Sequence, residues 1–466
     1  MASQPTIVWL RDDLRLADNP ALQAAIETGA PLVVVYVLDE ESDGIRPLGG
    51  ATRWWLHHSL AALGAEIARV GGELVLRSGP AGVVIPALVD EVDAGAVHWN
   101  RRYGAARQLD ADLKSSLRAR GIDVHSHQGN LLSEPWTVTT GEGNPYRVFT
   151  PFWKACLDRG EPREPLAEPT ALDGLRGVPS ETLDSWRLLP VAPDWSGGIA
   201  ERWTPGERSA RGALEEFATG ALAQYDRRDE PALDPTSHLS PHLRFGEISP
   251  FQVWHRIRGA LGAPAARNAD KFLRQLVWRE FNWNILFHWP DLAETNFRPE
   301  FDAFPWRTPA PGELEAWQEG RTGIPLVDAG MRELWATGYM HNRVRLVAGS
   351  FLVKNLLLDW RLGERWFWDT LVDADEANNP GNWQWVAGSG ADAAPYFRVF
   401  NPALQQSRFD PEGAYVSRWV PDDELRSAPI VDLAETRAAA LAAYDELKRR
   451  NAEKAEAATT DDRPAR

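Results

Sequence analysis

The sequence is poor in the residues that would form a disulfide framework or hold an iron–sulfur cluster. It contains a single cysteine, Cys156, among 466 residues, so neither an internal disulfide nor a four-cysteine cluster can form. No apolar run reaches membrane-spanning length, and the N-terminus lacks the basic and then apolar layout of a signal peptide. We therefore expect a protein of the reducing cytoplasm, with no membrane segment and no structural metal or iron–sulfur cluster.

An excess of positive charge is also missing. The chain has 50 basic and 66 acidic residues, and its formal net charge of −16 argues against loose binding of nucleic acid by bulk charge. A local basic groove remains compatible with this total. The 44% hydrophobic and 25% charged residues are typical of a globular protein, and the length predicts two to three domains.

Short β-branched runs alternate with amphipathic segments in residues 1–130. The runs at 6–10, 31–38, 73–76 and 96–99 predict buried strands, and 123–126 predicts a fifth strand. The intervening segments at 19–28, 51–70, 81–91 and 105–120 predict helices. This alternation predicts an α/β domain with a doubly wound parallel sheet. No Gly-x-Gly-x-x-Gly follows the first strand, so a standard dinucleotide site is not expected there.

The rest of the chain has a different pattern. Residues 131–200 include a stretch rich in proline, glycine and acidic residues and are predicted to be an inter-domain linker. Residues 201–430 have a helical pattern, with predicted loops at 231–241, 290–311 and 378–381. Residues 431–466 predict one exposed helix and a disordered tail from 459 onward.

The most informative segment carries acidic, amide and indole side chains close together. Asp373, Asp375 and Asn379 precede Trp383 and Trp385, in a chain with 22 tryptophans. Indoles suit stacking on bases and electron hopping, so the segment favours a flavin that faces a nucleobase. A metal site at the two carboxylates lacks further ligands at a sensible spacing, and glycoside hydrolysis by paired carboxylates is another alternative.

Two helical segments present further candidates. Gln275, Trp278 and Arg279 share one helical face with Asn282, which is typical of a binding surface or of a polar helix–helix contact. In the second segment, Asn342 and Arg345 share a face and Arg343 points elsewhere. The alternative for this segment is a helix with ordinary surface arginines.

A cluster of hydroxyl side chains forms the remaining candidate. Thr236, Ser237, His238, Leu239 and Ser240 follow an acidic loop that contains proline. Hydroxyl groups and free backbone N–H groups at the start of a helix can hold phosphate oxygens, although such clusters also serve as plain helix caps.

Together these motifs resemble the photolyase/cryptochrome family over roughly residues 5–425. The resemblance is carried by Thr6-Ile7-Val8-Trp9-Leu10-Arg11-Asp12-Asp13-Leu14-Arg15, by Trp278-Arg279-Glu280-Phe281, by residues 338–345, and by residues 373–402, which include Ala394, Pro395 and Tyr396. Among the members, the chain is most similar to class I-like cyclobutane pyrimidine dimer photolyases. The resemblance implies an N-terminal α/β domain, a long linker and an all-α FAD-binding domain.

The resemblance also implies how FAD is bound. Arg345 and Asp373 would form an ion pair beside the isoalloxazine ring, Asp375 would bond to its polar edge, and Asn379 would face the ring nitrogen that takes up a proton. The full set of implied FAD neighbours is Tyr225, Thr236, Ser237, His238, Leu239, Ser240, Phe272, Gln275, Asn342, Arg345, Asp373, Asp375 and Asn379. A second, antenna chromophore of unknown identity is also expected.

In such enzymes, excited reduced flavin passes an electron to a pyrimidine dimer that is flipped out of ultraviolet-damaged DNA. Trp383, Trp360 and Trp306 match the chain that carries electrons to oxidised flavin. Gln275, Asn342 and Asn379 would assist the reaction. The implied DNA contacts are Arg228, Gln275, Trp278, Arg279, Asn342, Arg343, Leu346, Trp385 and Arg398.

Three positions depart from the family pattern. Gln275 stands where dimer photolyases usually carry Glu, Leu346 replaces a Met that touches the dimer, and Ala106 replaces an acidic residue of folate-antenna members. These departures leave two functions open: repair of cyclobutane dimers, or a bacterial-type blue-light photoreceptor with weak or no repair. In either case we expect a monomer.

Overall fold

The computed structural model describes residues 3–260, 263–393, 397–425 and 427–461, with the side chains of 263–265 and 455–461 excepted. Ala394, Pro395 and Tyr396 of the family motif therefore lie outside the described residues. The chain divides into two compact units. The first comprises Met1–Asp226, Pro235–Pro290 and Asp369–Asp375, and the second comprises Arg227–Asp234, Asp291–Trp368 and Glu376–Arg466.

A five-stranded parallel sheet begins the first unit. Its strands are β1 (Thr6–Leu10), β2 (Leu32–Leu38), β3 (Leu74–Ser78), β4 (Ala96–Asn100) and β5 (Asp123–His127), in the spatial order β3-β2-β1-β4-β5. In this sheet, Val8 of β1 lies opposite Val34 of β2 and His98 of β4. A sheet covered by helices on both faces needs continuous apolar runs, and the buried residues of β1 and β2 have this pattern. The predicted doubly wound sheet is confirmed.

The helices of the first unit begin with four that alternate with the strands as predicted. The helices are α1 (Pro20–Glu27), α2 (Gly50–Arg69), α3 (Ala81–Val92), α4 (Ala106–Ala119), α5 (Phe149–Asp158), α6 (Gly197–Arg202), α7 (Glu207–Thr219), α8 (Ser240–Arg244), α9 (Pro250–Arg258) and α10 (Ala263–His288). Side chains of the sheet pack with those of α3 and α4 in one apolar core that includes Val35, Ile85 and Leu117.

The crevice at the carboxyl ends of β1 and β4 is filled by the chain's own side chains. Arg11 pairs with Asp110 at 3.2 Å, and Nδ2 of Asn100 donates to Asp13 at 2.6 Å and to Asn19 at 2.8 Å. This is the point where the strand order reverses, and doubly wound sheets usually bind their ligand there. The filled crevice and the missing glycine motif both argue against a dinucleotide at this place.

The lone cysteine lies on α5. Its side chain is partly covered, and burial raises the pKa of the Cys156 thiol to about 12. The thiol is therefore protonated at neutral pH.

The second unit is helical in its described residues. Its helices are α11 (Glu313–Gln318), α12 (Pro325–Thr337), α13 (Asn342–Ser350), α14 (Trp360–Thr370, whose last two residues belong to the first unit), α15 (Asn378–Ala387), α16 (Pro402–Phe409), α17 (Ala414–Trp419) and α18 (Leu433–Asp461). A π-helical turn, Phe351–Asn355, follows α13. The helical pattern predicted for this part of the chain is thus confirmed.

Two details of the second unit correct the sequence predictions. The loop predicted at 378–381 is wrong, because these residues form the first turn of α15. Pro380 is tolerated there since the first N–H groups of a helix have no partner within the helix. The sequence predicts disorder from 459, but α18 continues to Asp461, and residues 462–466 lie outside the described part.

Membrane-spanning helices and metal clusters are both absent from the described residues. Every helix there is too short or too polar to cross a membrane. No three or more His, Cys, Asp or Glu side chains in the same part of the chain are arranged to hold a metal ion.

Candidate functional site

The hydroxyl cluster of the first unit lies in the loop that leads into α8. His238 has a φ of +52°, which turns the chain sharply before the helix. Oγ of Ser237 accepts from the N–H of Leu239 at 3.4 Å, and Oγ of Ser240 donates to Asp373 at 2.6 Å. Hydroxyl groups and backbone N–H groups therefore collect at one short stretch, with Thr236 preceding them.

The carboxylate segment of the first unit is held against α8. Nε of Arg244 donates to the carbonyl of Ala374 at 2.8 Å, between the two predicted FAD contacts Asp373 and Asp375. Asp375 is 6% exposed. The structure thus brings Asp373 together with Ser240, as a common site requires.

Two predicted aromatic neighbours of FAD also meet. Tyr225 lies on a 3-10 turn, Ala221–Arg227, and Phe272 lies on α10; their ring centroids are 5.4 Å apart. Both side chains are buried, and both pack against Phe217 of α7. The three rings therefore pack together in the interior and are not exposed on the surface.

The face of α10 next to Phe272 carries three predicted substrate contacts. Gln275 is exposed, and the indole of Trp278 stacks on Phe149 with a centroid distance of 4.0 Å and an interplanar angle of 10°. Arg279 is less available for a contact with DNA, because its Nη1 donates to the carbonyl of Asn130 at 3.0 Å and to Glu280 at 3.1 Å. Burial raises the pKa of Glu280 to about 7.

In the second unit, α13 carries four of the predicted residues at its start. Asn342 is exposed, and Arg345 donates from Nε to the carbonyl of Met340 at 2.6 Å. Arg343 pairs with Asp229 at 2.8 Å and lies over the ring of Phe409. Two further predicted DNA contacts, Leu346 on α13 and Arg228 next to Asp229, are half-buried.

The helix α15 carries the amide and both indoles of the most informative segment. Nδ2 of Asn379 donates to the carbonyl of Glu364 at 3.0 Å and to its Oε1 at 2.9 Å. One turn later, Trp383 is 4% exposed. Trp385 is half-buried, and the guanidinium of Arg398 lies 6.0 Å from its ring centroid.

The predicted electron chain is also in the second unit. Trp360 is completely buried, and its Nε1 donates to Asn296 at 3.0 Å. A Cβ placed on Gly363, one turn further along α14, would lie 2.1 Å from the Trp383 ring, so that indole packs directly against α14. Trp306 is partly buried and its ring lies 4.3 Å from that of Phe304.

Four further residues shape this part of the site and are absent from the sequence predictions. Glu364 orients Asn379, Gly363 makes room for Trp383, and the rings of Phe367 and Trp317 lie 4.9 and 6.1 Å from that of Trp383. No local pattern distinguishes these residues from ordinary core positions, and the sequence around Gly363 carries no chemical signal by itself.

A second aromatic cluster lies in the first unit and is formed by α10, the loop after β4 and a 3-10 turn, Pro135–Thr137, after β5. Trp136 is 47% exposed, and its ring lies 5.5 Å from Phe287 and 6.4 Å from Tyr103. Arg101 lies over Trp136. Nε1 of Trp283 is buried without a hydrogen-bond partner among the described residues. An exposed indole beside a cation offers a surface on which a flat polar ligand can stack.

Comparison with known proteins gives two family matches. Residues 6–170 match the model described as DNA photolyase, and residues 272–450 match the FAD binding domain of DNA photolyase.

Similar curated proteins include both photolyases and cryptochromes. A deoxyribodipyrimidine photo-lyase from Agrobacterium fabrum is 48% identical, with 96% of this chain and 99% of that protein covered. Cryptochrome-2 from Arabidopsis thaliana is 37% identical, with 90% of this chain and 70% of that protein covered.

Solved structures are similar over nearly the whole chain. A bacterial class III photolyase from Agrobacterium tumefaciens gives a TM-score of 0.92 at 47% identity, and the match covers 96% of this chain and 98% of that one. A Synechocystis cryptochrome gives 0.83 at 26% identity, with 94% and 99% covered.

Proposed function

Since this chain belongs to the photolyase/cryptochrome family, we propose that it repairs cyclobutane pyrimidine dimers in ultraviolet-damaged DNA by light-driven electron transfer from FAD. One observation carries the proposal. A single ten-residue helix, α15, holds the oriented amide of Asn379, the buried indole of Trp383 and the half-buried indole of Trp385. These are the groups needed beside a flavin, along an electron path and against a flipped base.

The donor set of each unit fits FAD. In the first unit, Thr236, Ser237 and Ser240 offer hydroxyl groups that suit phosphate oxygens, and Asp373 and Asp375 suit donors of a ribose or ring. In the second unit, Asn379 and Arg345 offer an amide and a cation to the ring. When bound, reduced FAD supplies light absorption and the electron. The protein orients it and excludes water.

Electron supply to oxidised flavin is assigned to Trp383, Trp360 and Trp306. Support comes from the close packing of Trp383 on α14, the helix that begins at Trp360. The hydrogen bond from Trp360 to Asn296 holds that indole in one orientation. Trp306 is the member nearest to solvent, since it is only partly buried.

Binding of the lesion is assigned to two indoles, two amides and four arginines. Trp278 and Trp385 would stack on the flipped bases, and each base–indole contact is worth about 1–3 kcal/mol. Gln275 and Asn342 are exposed and offer amides to the dimer. The arginines assigned to phosphates are Arg228, Arg279, Arg343 and Arg398.

The subclass within the family remains a proposal. The motifs resemble class I-like enzymes, whereas the chain is 47% identical to a protein described as a bacterial class III photolyase. The high identity over nearly the full length of both chains favours class III.

A photoreceptor with weak or no repair is the second candidate. It is favoured by Gln275 and Leu346, which depart from the usual dimer contacts, and by similarity to Cryptochrome-2. Illumination of the reduced protein with a dimer-bearing oligonucleotide separates the two functions. Loss of the dimer, followed by chromatography with a dark control, supports the enzyme; an intact dimer at saturating protein supports the photoreceptor.

The aromatic cluster around Trp136 is our candidate place for a second chromophore. An archaeal photolyase from Sulfolobus tokodaii, 29% identical with a TM-score of 0.80, is described as holding two FAD molecules. A second absorption band in the purified protein that disappears in Trp136→Leu, with the flavin band unchanged, would support this placement. A second band that survives the substitution would place the chromophore elsewhere.

A further inference from the structure

The N-terminus of α13 is capped by a buried histidine. His341 is 1% exposed, and its Nδ1 accepts a hydrogen bond from the backbone N–H of Arg343 at 3.2 Å. An accepting Nδ1 requires a neutral ring that carries its proton on Nε2, next to the backbone of Arg228. Burial lowers the pKa of His341 to about 4, which agrees with a neutral ring at physiological pH.

The histidine is held in place from two other helices. Its backbone N–H donates to Oε2 of Glu333 on α12 at 3.1 Å. The same oxygen accepts from the hydroxyl of Tyr415 on α17 at 2.6 Å. Glu333 is 5% exposed and Tyr415 is 1% exposed, so the network is buried. Buried networks of this kind fix one arrangement of the helices that contribute to them.

The residues directly after the cap are predicted DNA contacts. Asn342 and Arg343 are the first two residues of α13, so any turn of the helix start changes their direction first. The side chain of Arg343 is steadied by Asp229 and Phe409, whereas Asn342 is exposed. The direction of Asn342 therefore depends mainly on the backbone that His341 caps.

The cap bond and the volume of this side chain are separate contributions, and a shorter residue can supply the first without the second. Ser, Thr, Asp and Asn are the usual N-cap residues and would satisfy the Arg343 N–H equally well. An imidazole is larger and more rigid, and here it fills a buried space while its backbone is tied to Glu333.

We propose that His341 is a positioning residue for lesion binding. Its Nδ1 caps the N–H of Arg343 while its backbone N–H is held by Glu333, which Tyr415 supports in turn. Together these bonds fix the direction in which α13 presents Asn342 and Arg343 to damaged DNA. This inference rests on the proposed function for its substrate, but its geometry stands on the contacts above.

Two substitutions separate the roles of the two ring nitrogens. In His341→Asn, Oδ1 takes the place of Nδ1 and keeps the cap. In His341→Gln, the longer amide reaches the place of Nε2 and loses the cap. Affinity for dimer-bearing and undamaged oligonucleotides is measured by fluorescence anisotropy, with protein concentration taken from bound flavin.

We expect His341→Asn to bind the dimer within about twofold of the unsubstituted protein. His341→Gln should bind about tenfold more weakly, the fold-change that results if the energy of a lost cap is carried into binding. The preference for dimer over undamaged DNA should fall in the Gln variant only. A general loss of protein stability would instead weaken the binding of dimer-bearing and undamaged DNA by the same factor. Equal dimer affinity in all three proteins, or an equal loss in both variants, would overturn the proposal.

Tyr415→Phe provides a milder test should the Gln variant not fold. It keeps the cap and removes one of the groups that hold Glu333, so a roughly threefold loss of dimer preference is expected on the scale of one hydrogen bond. An unchanged preference would count against the role of the network.

The rate of FAD release from the same variants provides a second measurement. Arg345 also lies on α13, so FAD release should be faster in His341→Gln and unchanged in His341→Asn. If the unsubstituted protein shows no preference for dimer DNA, the proposed function fails, while this second measurement still decides the role of His341. Equal FAD release from all three proteins would then reject it.

Discussion

The amide of Asn379 is tied to Glu364 through its nitrogen. Nδ2 donates both to the backbone carbonyl and to Oε1 of Glu364, at 3.0 and 2.9 Å. Glu364 is 1% exposed, so the contact is shielded from water. Because the nitrogen is engaged, the oxygen of the amide points away from Glu364, and the end of Asn379 that meets a ligand is fixed.

Removal of the carboxylate should therefore disturb the flavin. In Glu364→Leu, Nδ2 loses one of two acceptors in a buried place, which costs about 1–3 kcal/mol. We expect weaker FAD retention and a shifted flavin absorption spectrum. Glu364→Gln keeps an acceptor oxygen and serves as the control, with a spectrum close to that of the unsubstituted protein. Identical spectra for both variants would show that Glu364 does not orient Asn379.

Gly363 should be essential for the seat of Trp383. Since a Cβ there would lie 2.1 Å from the indole, Gly363→Ala must displace the ring, at a cost of about 1–3 kcal/mol for overpacking. We expect slower photoreduction of bound FAD, measured by the fading of its absorption under blue light. Trp383→Phe should block photoreduction.

A glycine in a helix with open space around it provides the control for this change. A Cβ added to Gly212 on α7 would meet no atom within 4 Å, and Gly212→Ala should stabilise the helix by about 0.5–1 kcal/mol. Photoreduction as fast in Gly363→Ala as in Gly212→Ala would contradict the seat proposed for Trp383.

Gln275 should limit repair. A carboxyl group can supply a proton and a charge that an amide cannot, so Gln275→Glu is expected to raise the yield of dimers repaired per absorbed photon. Because Gln275 is exposed on α10, its substitution leaves the packed core unchanged. The yield is measured by chromatography after calibrated illumination. No gain would mean that another group already compensates, or that repair is not the function.

Glu280 should make stability depend on pH. Burial raises its folded pKa to about 7 from an ordinary 4.5, so the folded state holds a proton that the unfolded state has lost between these values. The contribution of Glu280 to the free energy of unfolding is therefore fully present below about pH 4.5. It falls by roughly 3 kcal/mol as the pH rises to about 7. Between pH 5 and 8, the thermal midpoint of the unsubstituted protein should therefore fall relative to that of Glu280→Gln. A constant difference would show that Glu280 ionises normally.

The sheet was predictable because a buried parallel strand leaves a clear trace in sequence. Residues of β1 and β2 are apolar without alternation, and turn residues separate them from helices of the correct length. The start of α15 escapes prediction because Pro380 and Gly381 disfavour a helix on average. The first turn of a helix, where N–H groups need no partner within the helix, permits Pro380. The N–H of Gly381 then makes the first bond of the turn, to the carbonyl of Ala377 at 3.0 Å.

The site residues were predictable only in part, and mainly by resemblance. Ser240 and Asp373 are assigned to the same ligand although they are far apart in sequence, and the structure joins them by a hydrogen bond. Glu364 and Gly363 could not be found this way, because their roles depend on what lies against them in space. The roles of the assigned residues toward FAD and DNA remain predictions.

The protonated thiol of Cys156 makes this chain convenient for spectroscopy. Thiol-reactive dyes and spin labels attack the thiolate, and a pKa of about 12 keeps that form scarce at neutral pH. A cysteine introduced at a chosen exposed position would then be the only fast-reacting thiol. Probes could be attached one at a time without first replacing a native residue.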